Sequence, residues 1–97
     1  DMIVSGGENI ASKEVEEVLR SHPHVKECAV IGLPDAKWGE RVCAVVVLNM
    51  QVSDGDLSSY CKRFLASYKT PKQWFRYDIM PVNAAGKIDK KLIKFEL

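Results

Sequence analysis

No stretch of these 97 residues approaches the roughly 20 continuous apolar positions that a membrane-spanning helix requires. The start also lacks the basic-then-apolar pattern of a secretory leader, so a cytoplasmic protein is expected. Cysteine is scarce and unpaired in pattern: Cys28, Cys43 and Cys61 are odd in number and have no Cys-x-x-Cys or Cys/His metal spacing, which argues against a disulfide framework or a zinc site. They read as reduced, mostly buried core thiols, two in apolar strand-like runs and Cys61 on the apolar face of a helix. Excess charge of one sign is missing as well. Fourteen Lys and Arg against thirteen Asp and Glu leave a net charge of +1, too balanced for the broad basic field of a general nucleic-acid binder. His22 and His24 flank Pro23 without Cys or carboxylate partners at ligand spacing, so they read as loop residues and no metal is expected. Internal repeats, linkers and low-complexity tracts are absent.

What remains is 46% hydrophobic and 28% charged, an ordinary mix for one compact domain over residues 1–97 that needs no staples. The chain opens inside a strand-like segment without an initiator methionine, and is expected to be an excised piece of a longer protein.

Met2 to Val4 reads as extended, ending at the Gly6-Gly7 pair, whose backbone angles a side chain would forbid. A helix is expected over residues 13–21, capped by Ser12, with Val15, Val18 and Leu19 inward and Lys13, Glu14, Glu16, Glu17 and Arg20 toward water. Val25 to Leu33 and Arg41 to Leu48 read as antiparallel strands joined through Pro34 to Glu40. Ser53 with Asp56 forms a capping pattern ahead of a helix whose stripe is Leu57, Tyr60, Cys61, Phe64 and Leu65. Gln73 to Ile79 supplies a third strand with Trp74 or Phe75 inward, and a final helix from Asp89 is expected to use Leu92, Ile93 and Phe95 as its apolar contacts. The fold class is therefore α+β: a small three-stranded sheet packed by helices, with a separate N-terminal strand or hairpin element lying apart near the glycine loop.

Chemistry points first to Pro81-Val82-Asn83-Ala84-Ala85-Gly86-Lys87-Ile88, which puts a lysine on a proline- and glycine-bounded loop ahead of a short basic helix. Such a cation suits a site where phosphate or carboxylate charge is neutralised, although a single lysine by itself reads as a solvated surface residue. Lys87, Lys90, Lys91 and Lys94 form the one local basic cluster. Gly6-Gly7 alone is a turn, and the Gly-x-x-x-x-Gly-Lys-Ser/Thr phosphate loop is missing from that segment. Glu14 and Glu16 lie two apart on a helix, so they do not share a face and read as solvated. Trp38 reads as a packing anchor.

Three blocks in order, Gly6-Gly7-Glu8-Asn9-Ile10 with Glu14-Val15-Glu16, then Pro34-Asp35-Ala36-Lys37-Trp38-Gly39-Glu40, then Gly86-Lys87-Ile88, resemble the C-terminal domain of adenylate-forming enzymes. That superfamily contains acyl-CoA synthetases, peptide-synthetase adenylation domains and beetle luciferases. The resemblance covers essentially the whole chain, and the first block looks like fatty-acyl or aryl-CoA synthetases more than peptide-synthetase domains.

The resemblance implies a mobile C-terminal domain of an AMP-forming acid-thiol ligase that reorients between two half-reactions: a carboxylate attacks ATP to give an acyl-adenylate and pyrophosphate, then a thiol captures the acyl group. Lys87 matches the adenylation lysine, thought to bridge carboxylate and phosphate. Gly6 and Gly7 match the loop lining the CoA thiol passage, and Glu8 and Asn9 are adjacent positions facing the adenylate in the second orientation. The cofactors implied are ATP with Mg, held mainly by an N-terminal domain of the same enzyme, and CoA; the other partner is a small carboxylic acid. By itself the chain is expected to be inactive.

Val4 stands where some relatives have lysine, Asn83 where threonine is frequent, and the hinge residue would fall immediately before Asp1. The Lys87 context also resembles sites modified by lysine acetyltransferases. Two alternatives stand beside the CoA reading: an adenylation domain loading a carrier protein, and a binding module whose basic end, Lys87 to Lys94, touches nucleic acid or an acidic partner.

Overall fold

The computed structural model describes residues 1–97. At its centre β3 (Val25–Asp35) and β4 (Gly39–Leu48) form a long antiparallel pair, in register from Val25↔Leu48 to Asp35↔Gly39 with one irregularity between Val25 and Glu27. The turn between them is held by the Asp35 carboxylate, which accepts from the Lys37 and Trp38 N–H groups at 2.9 Å each. Val42 to Val47 are all buried, an unbroken apolar run that a strand can carry only when both of its faces are covered.

Alternation then divides the side chains. Cys28, Val30, Val42, Ala44 and Val46 face one core, completed by Val15 and Leu19 of α1 (Ser12–Arg20), Leu57 and Cys61 of α2 (Asp54–Lys62), Ile3 and Ile10. Ala29, Ile31, Leu33, Cys43, Val45 and Val47 face the other, closed by Met80 and by Ile93 of α3 (Lys90–Glu96). The expected alternative of Trp74 or Phe75 inward resolves into both. On β5 (Gln73–Arg76), Trp74 packs toward the first core and Phe75 toward the second.

The α+β class holds, with five strands in one sheet rather than three and a hairpin apart. β1 (Met2–Ser5) and β2 (Glu8–Ala11) form an antiparallel hairpin that joins β4 through Ser5↔Gly39, while β5 lies parallel to β4 further along, from Cys43↔Gln73 to Val46↔Arg76. One edge of β4 is thus shared by two strands. The third expected strand stops at Arg76, three residues short of Ile79.

Local chemistry explains the helix boundaries. Ser53 caps α2 as expected, its hydroxyl accepting from Asp56 N–H at 3.1 Å. Ser12 does not cap α1: β2 runs straight into the helix, so Ala11 occupies the cap position and Ser12 is the first helical residue, buried. Glu16, expected to face water, is only 8% exposed. α2 ends at Lys62, so Phe64 leaves the helical phase and is 56% exposed, its ring tilted against that of Tyr60 while Leu65 turns inward. α3 is short, and Ile93 is its one buried residue; Leu92 is exposed and Phe95 88% exposed. No helix is long and apolar enough to cross a membrane.

All three cysteines are free and buried, on both sides of the sheet. Burial pushes the thiols of Cys28 and Cys61 up to about 11 and raises that of Cys43 as well. Raised values keep the protonated form dominant at neutral pH, and the thiolate is the nucleophile. Alkylation by iodoacetamide at pH 8, read by mass spectrometry, is therefore expected to be negligible in the folded chain and complete in denaturant; rapid native-state labelling of any of the three would contradict the burial.

Candidate functional site

Lys87 sits on a loop tied to itself. Val82 pairs with Ile88, Asn83 N–H donates to the Lys87 carbonyl at 2.7 Å, and Asp89 N–H to the Pro81 carbonyl at 2.9 Å. The Asn83 side-chain oxygen accepts from both Ala85 and Lys87 N–H, at 2.9 and 3.1 Å. Asn83 is therefore the organiser of the loop, a short side chain suited to bonding the backbone two and four residues on. Gly86 has φ +78, a left-handed angle that glycine adopts at no steric cost. The Lys87 side chain is exposed and makes no hydrogen bond or ion pair within the chain.

Directly after this loop the neighbouring lysine behaves in the opposite way. Lys90 Nζ lies 2.8 Å from Glu16 Oε2, 3.2 Å from Asp1 Oδ2 and 3.3 Å from Ser12 Oγ. Glu16 Oε2 also accepts from Val30 N–H at 2.8 Å. Helix α1, strand β3 and the start of α3 meet at this one ion pair, in which Glu16 is nearly enclosed. Glu14 is engaged elsewhere, paired with Lys69 at 2.8 Å; its hydrogen bond raises the ammonium pKa of Lys69. The basic cluster Lys87, Lys90, Lys91, Lys94 is accordingly divided: Lys90 is turned inward and neutralised, and the other three are exposed.

The second location is the tip of the β1–β2 hairpin. Gly6 and Gly7, with φ +58 and +82, form the two-residue connection between Ser5 and Glu8, with the positive φ at both positions that a type I′ turn requires. Trp38, Gly39 and Glu40 hold it: Gly6 N–H donates to the Trp38 carbonyl at 2.8 Å, Ser5 pairs with Gly39, and Glu40 Oε1 accepts from Val4 N–H at 2.9 Å. Ser5, Gly6, Glu8, Trp38, Tyr68 and Lys72 line a cleft of about 110 Å³ beside the turn. Hairpin alternation sends Asn9, opposite Val4, to the other face, so Glu8 and Asn9 do not converge. Lys87 and the glycine turn share no cleft, hydrogen bond or ion pair. They are two separate places on the domain's surface. At the far end of α1, His22 accepts through Nδ1 from His24 N–H and packs edge-on against Tyr60.

Residues 14–87 match the family described as the AMP-binding enzyme C-terminal domain. The chain belongs to this family. It is 49% identical over 94 residues to the 2-succinylbenzoate–CoA ligase of Bacillus subtilis, and 46% identical over 95 residues to a long-chain-fatty-acid–CoA ligase of Mycobacterium tuberculosis. Each alignment takes in 97% of this chain and 19% of the relative, so the chain spans about a fifth of the length of these ligases. Among solved structures, a fatty acyl CoA synthetase of Mycobacterium tuberculosis superposes with TM-score 0.93 at 45% identity, over 99% of this chain and 19% of that one. The o-succinylbenzoate CoA synthetase of Bacillus subtilis, in complex with its acyl-adenylate intermediate, gives TM-score 0.92 at 49% identity, over 97% of this chain and 19% of that one.

In this AMP-binding enzyme C-terminal domain, sequence reasoning missed Glu16, Lys90 and Asn83. Asn83 alone had a local signal, the Asn-x-x-Gly turn pattern; nothing along the chain links Glu16 to Lys90. The glycine turn yields a test by substitution. A Cβ on Gly6 would stand 2.9 Å from Trp38 Cε3, whereas one on Gly7 meets nothing within 4 Å. Gly7→Ala should cost only the left-handed backbone penalty, about 1–2 kcal/mol. Gly6→Ala should cost more in denaturant unfolding, with the excess removed in Gly6→Ala/Trp38→Ala; equal single-mutant costs would show that the indole does not abut the turn.

Proposed function

We propose that this chain is the mobile C-terminal domain of an ATP-dependent, AMP-forming acyl- or aryl-CoA ligase, with Lys87 serving adenylation and the Gly6-Gly7 turn serving thioester formation. The observation that carries the reading is the exposed, unpartnered Lys87 ammonium on a loop rigidified by Asn83, in a domain similar over nearly its whole length to CoA ligases about five times longer. The remaining walls for carboxylic acid and ATP, with its Mg, would come from an N-terminal domain, so the chain alone should not turn over.

In the first half-reaction a carboxylate oxygen bonds to the α-phosphorus of ATP and pyrophosphate leaves. Both reactants are anions. A cation placed between them lowers their repulsion and stabilises charge developing on the phosphoryl oxygens, and Lys87 is suited to this because no internal carboxylate competes for it. In the second half-reaction the CoA thiol bonds to the acyl carbon and AMP leaves. The exposed Gly6-Gly7 turn, open where a Gly7 side chain would stand, fits the close passage of a thin thiol arm with backbone groups available to its amides. Glu8, beside the turn, is placed for a polar contact at that station, and Asn9 for one on the opposite face of the hairpin.

Lys87→Ala in the full-length enzyme is expected to slow carboxylate-dependent pyrophosphate release by about 100-fold or more, the scale of losing a transition-state electrostatic contact. Thioester formation from supplied acyl-adenylate should persist. Pyrophosphate release near the wild-type rate would refute the assignment.

An exposed amine on an ordered loop also fits a lysine acetyltransferase substrate, and acetylation would remove the charge. Incubation of the full-length enzyme with such an enzyme and acetyl-CoA should place the acetyl group on Lys87 and abolish pyrophosphate release, with deacetylation restoring it. Peptide mapping that finds Lys87 unmodified would sink this part of the reading.

A further inference from the structure

We infer that Lys90 is a positioning residue for adenylation: its ion pair with Glu16 and its contact with Asp1 fix the Lys87 loop to the domain body and to the residue that precedes β1. The inference rests on the adenylation role proposed for Lys87 and extends it to a group that meets no substrate.

The loop is rigid within itself but has few attachments below. Its hydrogen bonds run among residues 81–89, and its apolar footing is Met80, partly buried Ile88 and Ile93, on the second core. Nonpolar contacts of this kind are tolerant of sliding, whereas an ion pair with a nearly buried carboxylate is directional. Glu16 is itself immobilised, because the same oxygen that meets Lys90 accepts from Val30 N–H in the central strand. Lys90 follows Asp89, which caps α3 by accepting from Leu92 N–H at 3.0 Å and donates its own N–H to Pro81 across the neck of the loop. One residue therefore links the loop's neck to β3 and α1.

The third partner extends the link. Asp1 meets Lys90 through its side chain and bonds α1 through its carbonyl, which accepts from Ser12 N–H at 3.1 Å. Asp1, the Lys87 loop and the first turn of α1 are thereby held in one frame. In a domain that reorients as a body, this frame sets where Lys87 arrives. The glycine turn, at the far tip of the hairpin, is held by Trp38, Gly39 and Glu40, none of which bonds Lys90.

Two half-reactions should then respond differently. In the full-length enzyme, Lys90→Met keeps most of the stem and removes the charge; it is expected to slow pyrophosphate release about 10- to 100-fold, as a displacement near 1 Å at a reacting group does. Thioester formation from supplied acyl-adenylate should stay within about twofold, since Lys90 bonds none of the residues that hold its station. Lys90→Arg should restore adenylation, and Lys87→Ala/Lys90→Met should be no slower than Lys87→Ala, because the second residue acts only through the first. If Lys90→Met proves too unstable to assay, Asp1→Asn supplies the test, since Asp1 is exposed and its loss leaves no buried charge alone; it should give a smaller decrease, again confined to adenylation. An equal fall in both half-reactions, an unchanged adenylation rate, or additive losses in the double variant would overturn the inference. Failure of the underlying reading is recognised separately: Lys87→Ala would then itself release pyrophosphate normally.

Discussion

Burial of both faces of the β3–β4 pair is the constraint from which the rest of the architecture follows. A strand closed on two sides needs two covering layers, and a chain of 97 residues has few elements with which to provide them. Helices α1 and α2 with the hairpin cover one face; short α3 and residues near Met80 cover the other. Each fully buried valine, leucine or isoleucine contributes about 1.5–3 kcal/mol, so the two cores together fix the orientation of everything attached to them. Both candidate stations are such attachments. The glycine turn is an extension of β1 and β2 beyond the first core, and the Lys87 loop is a protrusion beyond the second.

The two lysines three residues apart show how the same side chain takes opposite roles according to its surroundings. Lys90 points toward Glu16, whose carboxylate is almost removed from water and would be costly to bury without a partner. Lys87 is displayed by a loop that consumes its own backbone hydrogen bonds and offers the ammonium nothing. One cation is structural because a buried anion claims it; the other is available to a ligand because no anion does.

The Trp38-Gly39-Glu40 segment has a comparable double aspect. As a packing anchor Trp38 performs as its residue type suggests, yet what it anchors is the glycine turn, and it does so while 42% exposed beside the cleft. Carbonyl, backbone pairing and carboxylate from three successive residues all engage the hairpin, which joins it to the sheet instead of leaving it apart.

Periodicity and residue type alone determined the α+β class, the two long apolar strands, the helix capped by Ser53 and the burial of the three cysteines, because each follows from neighbours within a few positions. The ordered motifs, by resemblance, also singled out Lys87, Gly6 and Gly7. Only the tertiary structure decided that Glu16 turns inward while Glu14 stays outside, that Phe64 and Phe95 are left in water, and that Lys90 rather than Lys87 is neutralised. Those outcomes depend on which residues distant in sequence arrive at the same place, and a carboxylate or an ammonium carries no mark along the chain of the partner that folding will bring to it.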